Sequence, residues 1–275
     1  MVAISKLHPP SAIMAAFVEA DQLHFGENYV QELVEKAKVL PSDLRWHFVG
    51  GLQSNKGKAL AAVPNLYLLE TLESVKAANV LEKALASQQE VRKEPLRVYI
   101  QVNTSGEEAK SGVQSMSDAG ESSAKHPLFE LARHVVVNCP HILFLGLMTI
   151  GAANNSRSIG ANQISSKDDV LKANPDFTKL LTSRQNLVSA LRQNAELRKA
   201  VESIPTGVNK EFYQTRLLGD EESGGLELSM GMSADLEVAC LAGSDNVRVG
   251  SDCFGPRLPS RDEAMKAMEH ELQQQ

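Results

Sequence analysis

The feature that most constrains the fold is a regular alternation of short apolar strands with helical segments along the chain. Eight runs have the β-branched and apolar character of strands, and apolar residues recur at helical spacing between them. The predicted strands cover residues 2–4, 23–27, 45–49, 66–69, 97–102, 142–148, 226–229 and 247–249. Eight such units in about 250 residues are typical of a (β/α)8 TIM barrel, whereas an open doubly wound sheet more often has about five or six strands.

One domain is predicted for residues 1–258, because no internal repeat and no linker interrupts the alternation. Three stretches rich in Ser, Gly, Asn, Asp and Glu show little periodicity. They are predicted as long surface loops near residues 105–125, 152–172 and 203–225. The tail, residues 259–275, is predicted to form one helix with Ala264, Met265 and Met268 on one face.

Composition excludes several classes of function. The formal net charge of −6 and the scattered basic residues argue against a nucleic-acid surface. The longest apolar run, residues 142–150, is too short to span a bilayer, and no charged and apolar leader precedes the first strand. We therefore expect no nucleic-acid and no membrane partner. A cytoplasmic location is the default, with a mitochondrial pool left open.

Cysteines and histidines suggest neither a disulfide framework nor a metal site. The three cysteines, Cys139, Cys240 and Cys253, are odd in number and lack paired spacing, so we expect buried thiols in a reducing compartment. None of the seven histidines has metal-ligand spacing. His47 lies within a predicted strand and is interpreted as a packed, hydrogen-bonded residue.

The first strand carries a candidate reactive residue, Lys6. It follows an apolar run and precedes Pro9 and Pro10, which end a strand and favour the first turn of a helix. A lysine at the carboxyl end of a barrel strand lies on the face where ligands bind. If it is partly withdrawn from water it can lose its proton and form a Schiff base with an aldehyde. The local sequence also allows an ordinary surface lysine.

Two loops on the same face have the composition of a phosphate site. Residues 229–233 (SMGMS) follow the seventh predicted strand, and residues 248–251 (RVGS) close the eighth. Barrels frequently bind phosphate between these two loops, through backbone N–H groups, hydroxyls and the positive end of a helix. Ordinary turn chemistry would also explain the glycines and serines. Arg248 allows two interpretations, an interior residue that reaches a ligand or one half of a buried ion pair.

Six segments in order along the chain carry a resemblance to a known family. They are VAISK at residues 2–6, FGENYVQE at 25–32, WHFVG at 46–50, GLMTI at 146–150, LSMGMSAD at 228–235 and VRVG at 247–250. Together they resemble the pyridoxal phosphate homeostasis protein family, single-domain proteins similar to the N-terminal barrel of alanine racemase. The three long loops are where this chain differs from the family.

The resemblance implies a cofactor and the residues that bind it. Pyridoxal 5′-phosphate would be held as a Schiff base on Lys6. Ser229, Gly250 and Ser251 would hold the phosphate, Arg248 would face the pyridine nitrogen, and Asn28 would lie near the cofactor. An arginine does not give up its proton, so it would leave the pyridine nitrogen unprotonated and weaken the ring as an electron sink.

The resemblance also favours a carrier over an enzyme. Racemization needs a second acid/base on the opposite face of the cofactor, and alanine racemases take that tyrosine from an added β-domain of a partner subunit. The tail of this chain is too short for such a domain. We therefore expect a monomer that stores, delivers or buffers the cofactor in vitamin B6 and amino-acid homeostasis, with apoenzymes that depend on this cofactor as candidate recipients. The alternatives are a racemase-like enzyme that uses the cofactor and another Schiff-base or phosphate-substrate barrel enzyme.

The start of the chain departs from the family. Family members usually have a helix and the beginning of strand one ahead of the lysine motif, whereas Met1 stands five residues before Lys6. A natural short isoform and an incomplete sequence are the two explanations, and we favour the second. A barrel without the start of strand one would leave backbone groups unpaired, so we expect reduced stability. A thermal melt beside an N-terminally extended version would test this expectation, and equal melts would refute it.

Overall fold

The computed structural model of the chain describes residues 1–117, 124–156, 169, 172, 174–219 and 225–273. Eight parallel strands form a closed ring, in which β1 pairs with both β2 and β9, and β4 pairs with β5. The ring consists of β1 (Val2–Ile4), β2 (His24–Glu27), β3 (Arg45–Phe48), β4 (Leu66–Leu72), β5 (Leu96–Asn103), β7 (Ile142–Met148), β8 (Glu227–Met232) and β9 (Asn246–Val249). A two-residue strand, β6 (Val113–Gln114), pairs with the end of β5 outside the ring. The predicted (β/α)8 barrel is confirmed.

Helices follow the strands and cover the outside of the ring. They are α1 (Pro10–Ala20), α2 (Val30–Val39), α3 (Gly57–Ala61), α4 (Val75–Ala86), α5 (Pro127–Asn138), α6 (Ala153–Ser156), α7 (Pro175–Gln193), α8 (Ala195–Ser203), α9 (Val208–Phe212), α10 (Leu236–Leu241), α11 (Ser251–Phe254) and α12 (Arg261–Gln273). In the part of the chain that is described, no helix is both long and apolar enough to cross a membrane.

The first strand is short but paired on both sides. Ala3 lies opposite Phe25 of β2 and opposite Val249 of β9, and all three residues of β1 are buried. Pro10 occupies the start of α1, as its fixed φ predicts. The strand therefore ends where Lys6 begins the turn toward α1. The expected cost in stability stays a prediction.

The stretch predicted as a loop near residues 203–225 contains α9 and a π-helical turn, Tyr213–Leu217. Tyr213 is buried, and its hydroxyl oxygen accepts a hydrogen bond from the backbone N–H of Phe144 at 2.9 Å. One turn of apolar spacing is too short to identify a helix that is stabilised by packing on the barrel wall. Of the other two predicted loops, the first contains β6 and the second contains α6, while residues 118–123, 157–168, 170–171 and 220–224 of the three stretches lie outside the described part.

The end of the chain forms the predicted helix. In α12, Ala264 and Met268 are buried, and the helix packs against α1. The hydroxyl of Ser11 donates to the carboxylate of Glu271 at 2.5 Å. Cys139 is buried as expected. Cys240 and Cys253 are exposed, because they lie on the outer sides of the short helices α10 and α11.

Candidate functional site

A cavity of about 330 Å³ opens at the carboxyl ends of β1, β8 and β9. It is bordered by the predicted reactive lysine and by residues of both predicted phosphate loops. Its lining residues are Ile4, Lys6, Asn28, Val49, Met148, Ile150, Met232, Ser233, Ala234, Arg248, Gly250, Ser251 and Arg257. The barrel thus brings together five of the six residues predicted from the sequence to bind a ligand, all except Ser229.

Lys6 projects from the end of β1 into this cavity. Within the described residues its amine has no hydrogen-bond or ion-pair partner. Burial and the nearby guanidinium of Arg257 lower the pKa of Lys6, against the opposing charges of Glu27 and Glu32. A lowered pKa leaves more of the amine unprotonated at neutral pH, which is the form that attacks an aldehyde.

Arg248 is a buried cation at the floor of the cavity and forms one half of a buried ion pair, as one interpretation of its sequence position predicts. Its contact with a ligand stays a prediction. Its Nη2 donates to the backbone oxygen of Thr149 at 2.6 Å, and its Nη1 lies 3.7 Å from Oε2 of Glu70. Burial by itself would raise the pKa of Glu70, but a hydrogen bond from His47 and the charge of Arg248 outweigh that effect and lower it. Glu70 is therefore the ionised partner that keeps Arg248 in place.

Ser229 does not reach the cavity wall. Its hydroxyl donates to Oε2 of Glu70 at 2.7 Å and accepts from Nδ2 of Asn246 at 3.2 Å and from Nη1 of Arg248. The sequence predicts that the seventh strand ends at Ser229, whereas β8 continues to Met232 and keeps Ser229 inside the barrel. The direct phosphate contact predicted for Ser229 therefore has no support in this geometry.

Ser233, at the end of the same loop, lines the cavity instead. Its hydroxyl oxygen accepts a hydrogen bond from the backbone N–H of Gly250 at 3.3 Å, which joins the two predicted phosphate loops. Ser233 belongs to the predicted phosphate loop at residues 229–233 but is not among the residues predicted to bind. The signal that could have found it is its place in the short turn between β8 and the helix that follows.

Gly250 and Ser251 border the cavity as predicted, beside a cation that sequence reasoning missed. A Cβ on Gly250 would lie 2.6 Å from Nη2 of Arg257, so only glycine lets this guanidinium approach the loop. In the described part of the chain Arg257 makes no hydrogen bond or ion pair. Its position shortly after the last predicted strand, on the ligand-binding face, was the available signal.

Asn28 lies two residues before helix α2 and does not cap it. The N-cap of α2 is Tyr29, and no side chain caps this helix. The amide of Asn28 has no partner among the described residues and borders both the Lys6 cavity and an adjoining cavity of about 320 Å³. A Cβ on Gly50 would lie 1.9 Å from the backbone oxygen of Asn28, so glycine is required for this close approach.

His47 forms part of a buried polar chain across the barrel, as its strand position predicts. Its Nε2 lies 2.8 Å from Nδ1 of His24, and its Nδ1 lies 2.9 Å from Oε1 of Glu70. Burial and the neighbouring His47 lower the pKa of His24 to about 4. Over the described residues no group of three or more His, Cys, Asp or Glu side chains could hold a metal ion.

Comparison with known proteins identifies the relatives of this chain. No family model matches it. The pyridoxal phosphate homeostasis protein of Schizosaccharomyces pombe is 39% identical over 257 residues, which cover 94% of this chain and 84% of that protein. That identity extends over nearly the whole barrel.

Solved structures agree with this relationship. PipY of Synechococcus elongatus PCC7942 without pyridoxal phosphate is 28% identical, with a TM-score of 0.59 over 92% of this chain and 91% of that one. PipY with pyridoxal phosphate bound is 26% identical, with a TM-score of 0.56 over 93% and 92%. Alanine racemase of Clostridium difficile 630, 14% identical, shares the fold with a TM-score of 0.53 over 95% of this chain and 53% of that one. By the identity to the S. pombe protein, this chain belongs to the pyridoxal phosphate homeostasis protein family.

Proposed function

We propose that this protein binds pyridoxal 5′-phosphate covalently through Lys6 and acts in the intracellular homeostasis of this cofactor and of amino acids. The observation that carries the proposal is the amine of Lys6, whose pKa is lowered, in a cavity that also contains the guanidinium of Arg257; neither group has a partner among the described residues. The amine suits an aldehyde, and the arginine suits a phosphate. PipY, a related protein of the same fold, has been solved with pyridoxal phosphate bound.

The residues of the cavity fit the parts of this cofactor. A volume of about 330 Å³ falls in the range of small-molecule sites. Arg257, Ser233, Ser251 and the open face of Gly250 would hold the phosphate, because they combine a free guanidinium with hydroxyls and a backbone that carries no Cβ. Ser229 would contribute indirectly, by holding Arg248.

The remaining residues would orient the ring and make the covalent bond. When bound, the cofactor supplies an aldehyde and an electron-accepting ring. The amine of Lys6 adds to the aldehyde carbon, a C=N bond forms, and water leaves with the aldehyde oxygen. Arg248, kept charged by Glu70, would donate to the pyridine nitrogen, and Asn28 would use its free amide beside the ring.

We propose a carrier rather than a catalyst. Apart from Lys6 and the two arginines, no described residue that lines the cavity titrates; Tyr, His, Cys, Asp and Glu are absent from this set. A racemase needs a second acid/base, and an arginine at the pyridine nitrogen gives a poor electron sink. We propose that the holoprotein is a cytoplasmic monomer that passes the cofactor to apoenzymes.

A racemase-like enzyme is the second candidate, favoured by the adjoining cavity. The two cavities share Asn28, Val49 and Ile150, so a second small molecule could lie beside the cofactor. Incubation of the holoprotein with L- and D-amino acids, followed by a chirality assay, separates the candidates. Clear interconversion would establish an enzyme and overturn the carrier.

The test of the binding proposal is visible absorbance after addition of pyridoxal phosphate to the wild type and to Lys6→Ala. We expect an imine band in the wild type and in Lys110→Ala, a control whose lysine is paired with Glu107 outside the Lys6 cavity, and none in Lys6→Ala. Borohydride reduction and mass spectrometry should then locate the adduct on Lys6. An unchanged band in Lys6→Ala would refute the assignment.

A further inference from the structure

The backbone on both sides of Lys6 is held by side chains of α2. On one side, the carbonyl oxygen of Ser5 accepts a hydrogen bond from Nζ of Lys36 at 2.9 Å. On the other side, the N–H of Leu7 donates to Oε1 of Glu32 at 2.7 Å. The peptide groups that flank the reactive lysine are therefore tied to one neighbouring helix.

Lys36 connects these two contacts through a buried ionic cluster. Its Nζ lies 2.8 Å from Oε1 of Glu27 and 2.7 Å from Oε1 of Glu32, and the hydroxyl of Ser5 donates to Oε1 of Glu27 at 2.6 Å. Ser5, Glu27, Glu32 and Lys36 are each no more than 1% exposed. The i,i+4 spacing of Glu32 and Lys36 is that of an ordinary surface ion pair on a helix, and it does not indicate burial.

Stability alone does not explain this cluster. Taking three charges out of water carries a desolvation penalty that apolar residues would avoid, and two carboxylates share a single cation. Oε2 of Glu27 and Oε2 of Glu32 have no hydrogen-bond partner among the described residues. Burial raises the pKa of Glu27 to about 7, against the pull of Lys36. A role in fixing the conformation of the nearby backbone would explain why this buried ionic cluster is present.

The geometry in question is the turn at Leu7. Leu7 has φ of 62°, in the left-handed region that residues with a side chain rarely adopt. Its N–H points at Glu32, and its carbonyl oxygen accepts from the N–H of Leu258 at 3.3 Å. A strained residue directly after a reactive lysine needs surrounding contacts that hold it.

We propose that Glu32, held in place by Lys36, is a positioning residue that keeps the turn after Lys6 left-handed and so directs the lysine amine into the cavity. This inference rests on the proposed function. It assigns a role in cofactor capture to a side chain that does not line the cavity.

The test compares two variants of Glu32 with a matched control. Glu32→Leu removes the acceptor of the Leu7 N–H and leaves Lys36 paired with Glu27, so we expect a folded protein. Glu32→Gln keeps an acceptor oxygen without the charge. Glu35→Leu changes a glutamate of the same helix whose partner is Lys38, 2.9 Å away and largely exposed.

Two rates are measured on each protein. One is the appearance of the imine band after addition of pyridoxal phosphate. The other is reductive methylation of Lys6 in the apoprotein by formaldehyde and cyanoborohydride, followed by mass spectrometry. Formaldehyde reports the reactivity of the amine alone, whereas the cofactor also requires the correct direction of the side chain.

We expect Glu32→Leu to form the band at least about tenfold more slowly while its methylation rate stays equal to or above that of the wild type, because loss of Glu32 lowers the pKa of Lys6 further. Glu32→Gln should recover the band rate to within about threefold, and Glu35→Leu should match the wild type. A normal band rate in Glu32→Leu would overturn the proposal. A band rate as low as that of Glu32→Leu in Glu32→Gln, or in the control Glu35→Leu, would also overturn it.

Failure of the proposed function gives a different result. If the wild type itself forms no band, cofactor binding is refuted before any variant is compared. If Glu32→Leu melts well below the other proteins, the double variant Leu7→Gly/Glu32→Leu provides the comparison, because glycine adopts the left-handed turn without an acceptor at residue 32 and Lys36 keeps Glu27 as its partner. Its band rate should exceed that of Glu32→Leu, and an equally low rate would contradict positioning through the turn.

Discussion

The hydroxyl of Ser229 donates a 2.7 Å hydrogen bond to Oε2 of Glu70 inside the barrel, where both side chains are fully buried. Ser229, which the sequence predicts as a phosphate contact, therefore hydrogen-bonds Glu70, the partner of Arg248. Ser233 lines the cavity in its place. Replacement of Ser229 should therefore affect stability, whereas replacement of Ser233 should affect phosphate binding.

Ser229→Ala should destabilise the protein by about 1–3 kcal/mol, because Glu70 and Arg248 lose a buried partner. It should leave the preference for pyridoxal phosphate over pyridoxal unchanged. Ser233→Ala should reduce that preference with little change in stability. Urea unfolding and titration with the two aldehydes measure both quantities, and a lost preference in Ser229→Ala would restore the phosphate role of that residue.

Arg257→Ala should lower the preference for pyridoxal phosphate over pyridoxal by about ten- to a hundredfold, the value of a hydrogen bond to a charged group. It should also raise the pKa of Lys6, because Arg257 is one of the two causes that lower it. The rate of Lys6 methylation should then reach its plateau at a higher pH than in the wild type. Arg261→Ala is the control, since Arg261 lies 5.8 Å from the ring of Tyr29 and outside the cavity. An unchanged preference would exclude Arg257 from the phosphate site.

Gly250→Ala should weaken cofactor binding toward the level of Arg257→Ala, because its new Cβ would meet the guanidinium at 2.6 Å. Arg257 is at the surface and can move, so the melting temperature should change little. The matched control is Gly51→Ala, since a Cβ there meets nothing within 4 Å. Calorimetric titration with pyridoxal phosphate is the measurement. Wild-type affinity in Gly250→Ala would show that the position of Arg257 is unimportant.

Glu27 should make the stability of the protein depend on pH near neutrality. Its pKa is raised from 4.5 to about 7 in the folded state, so between these values the folded protein binds more protons than the unfolded chain. The free energy of unfolding therefore falls as pH rises through this window, by an amount on the order of 3 kcal/mol. Glu27→Gln should lack this decline.

The difference between wild type and Glu27→Gln separates the effect of Glu27 on the free energy of unfolding from the effects of groups whose pKa is lowered. His24 has a lowered pKa, so its contribution to stability is lost as pH falls toward 4 in both proteins. Urea unfolding of the pair at several pH values between about 4 and 8 supplies the difference. Parallel curves would mean that Glu27 stays ionised throughout.

Local patterns along the chain predicted the order of the barrel strands. Strand β7 was predicted with its observed bounds, and Lys6 was placed at a strand end because two prolines stop β1. Helix starts with a clear cap are equally local features, as at Asn174, whose side chain accepts from the N–H groups of Asp176 and Phe177. These features depend on contacts between residues close in the chain.

The burial of Ser229 inside the barrel is a feature that local patterns do not predict. The register between β8 and β9 shifts between Ser229 and Met232, so the faces of β8 do not follow simple alternation. The extension of β8 to Met232 and this shift in register together set which serine reaches the cavity. Both depend on pairing with a distant strand, and residues 226–233 alone do not encode them.

The alternation of strands and helices, the barrel that it builds and the strand-end position of Lys6 all follow from local sequence, because periodicity and proline act over a few residues. Two other features arise only from contacts between distant parts of the chain. They are the buried contacts of Glu32 and Lys36 with the turn around Lys6 and the approach of Arg257 to Gly250. An i,i+4 charge pair has the same spacing on a surface and in a core. Its burial, and the backbone groups it contacts, depend on helix α2 packing against β2 and β3 beside the turn that follows β1.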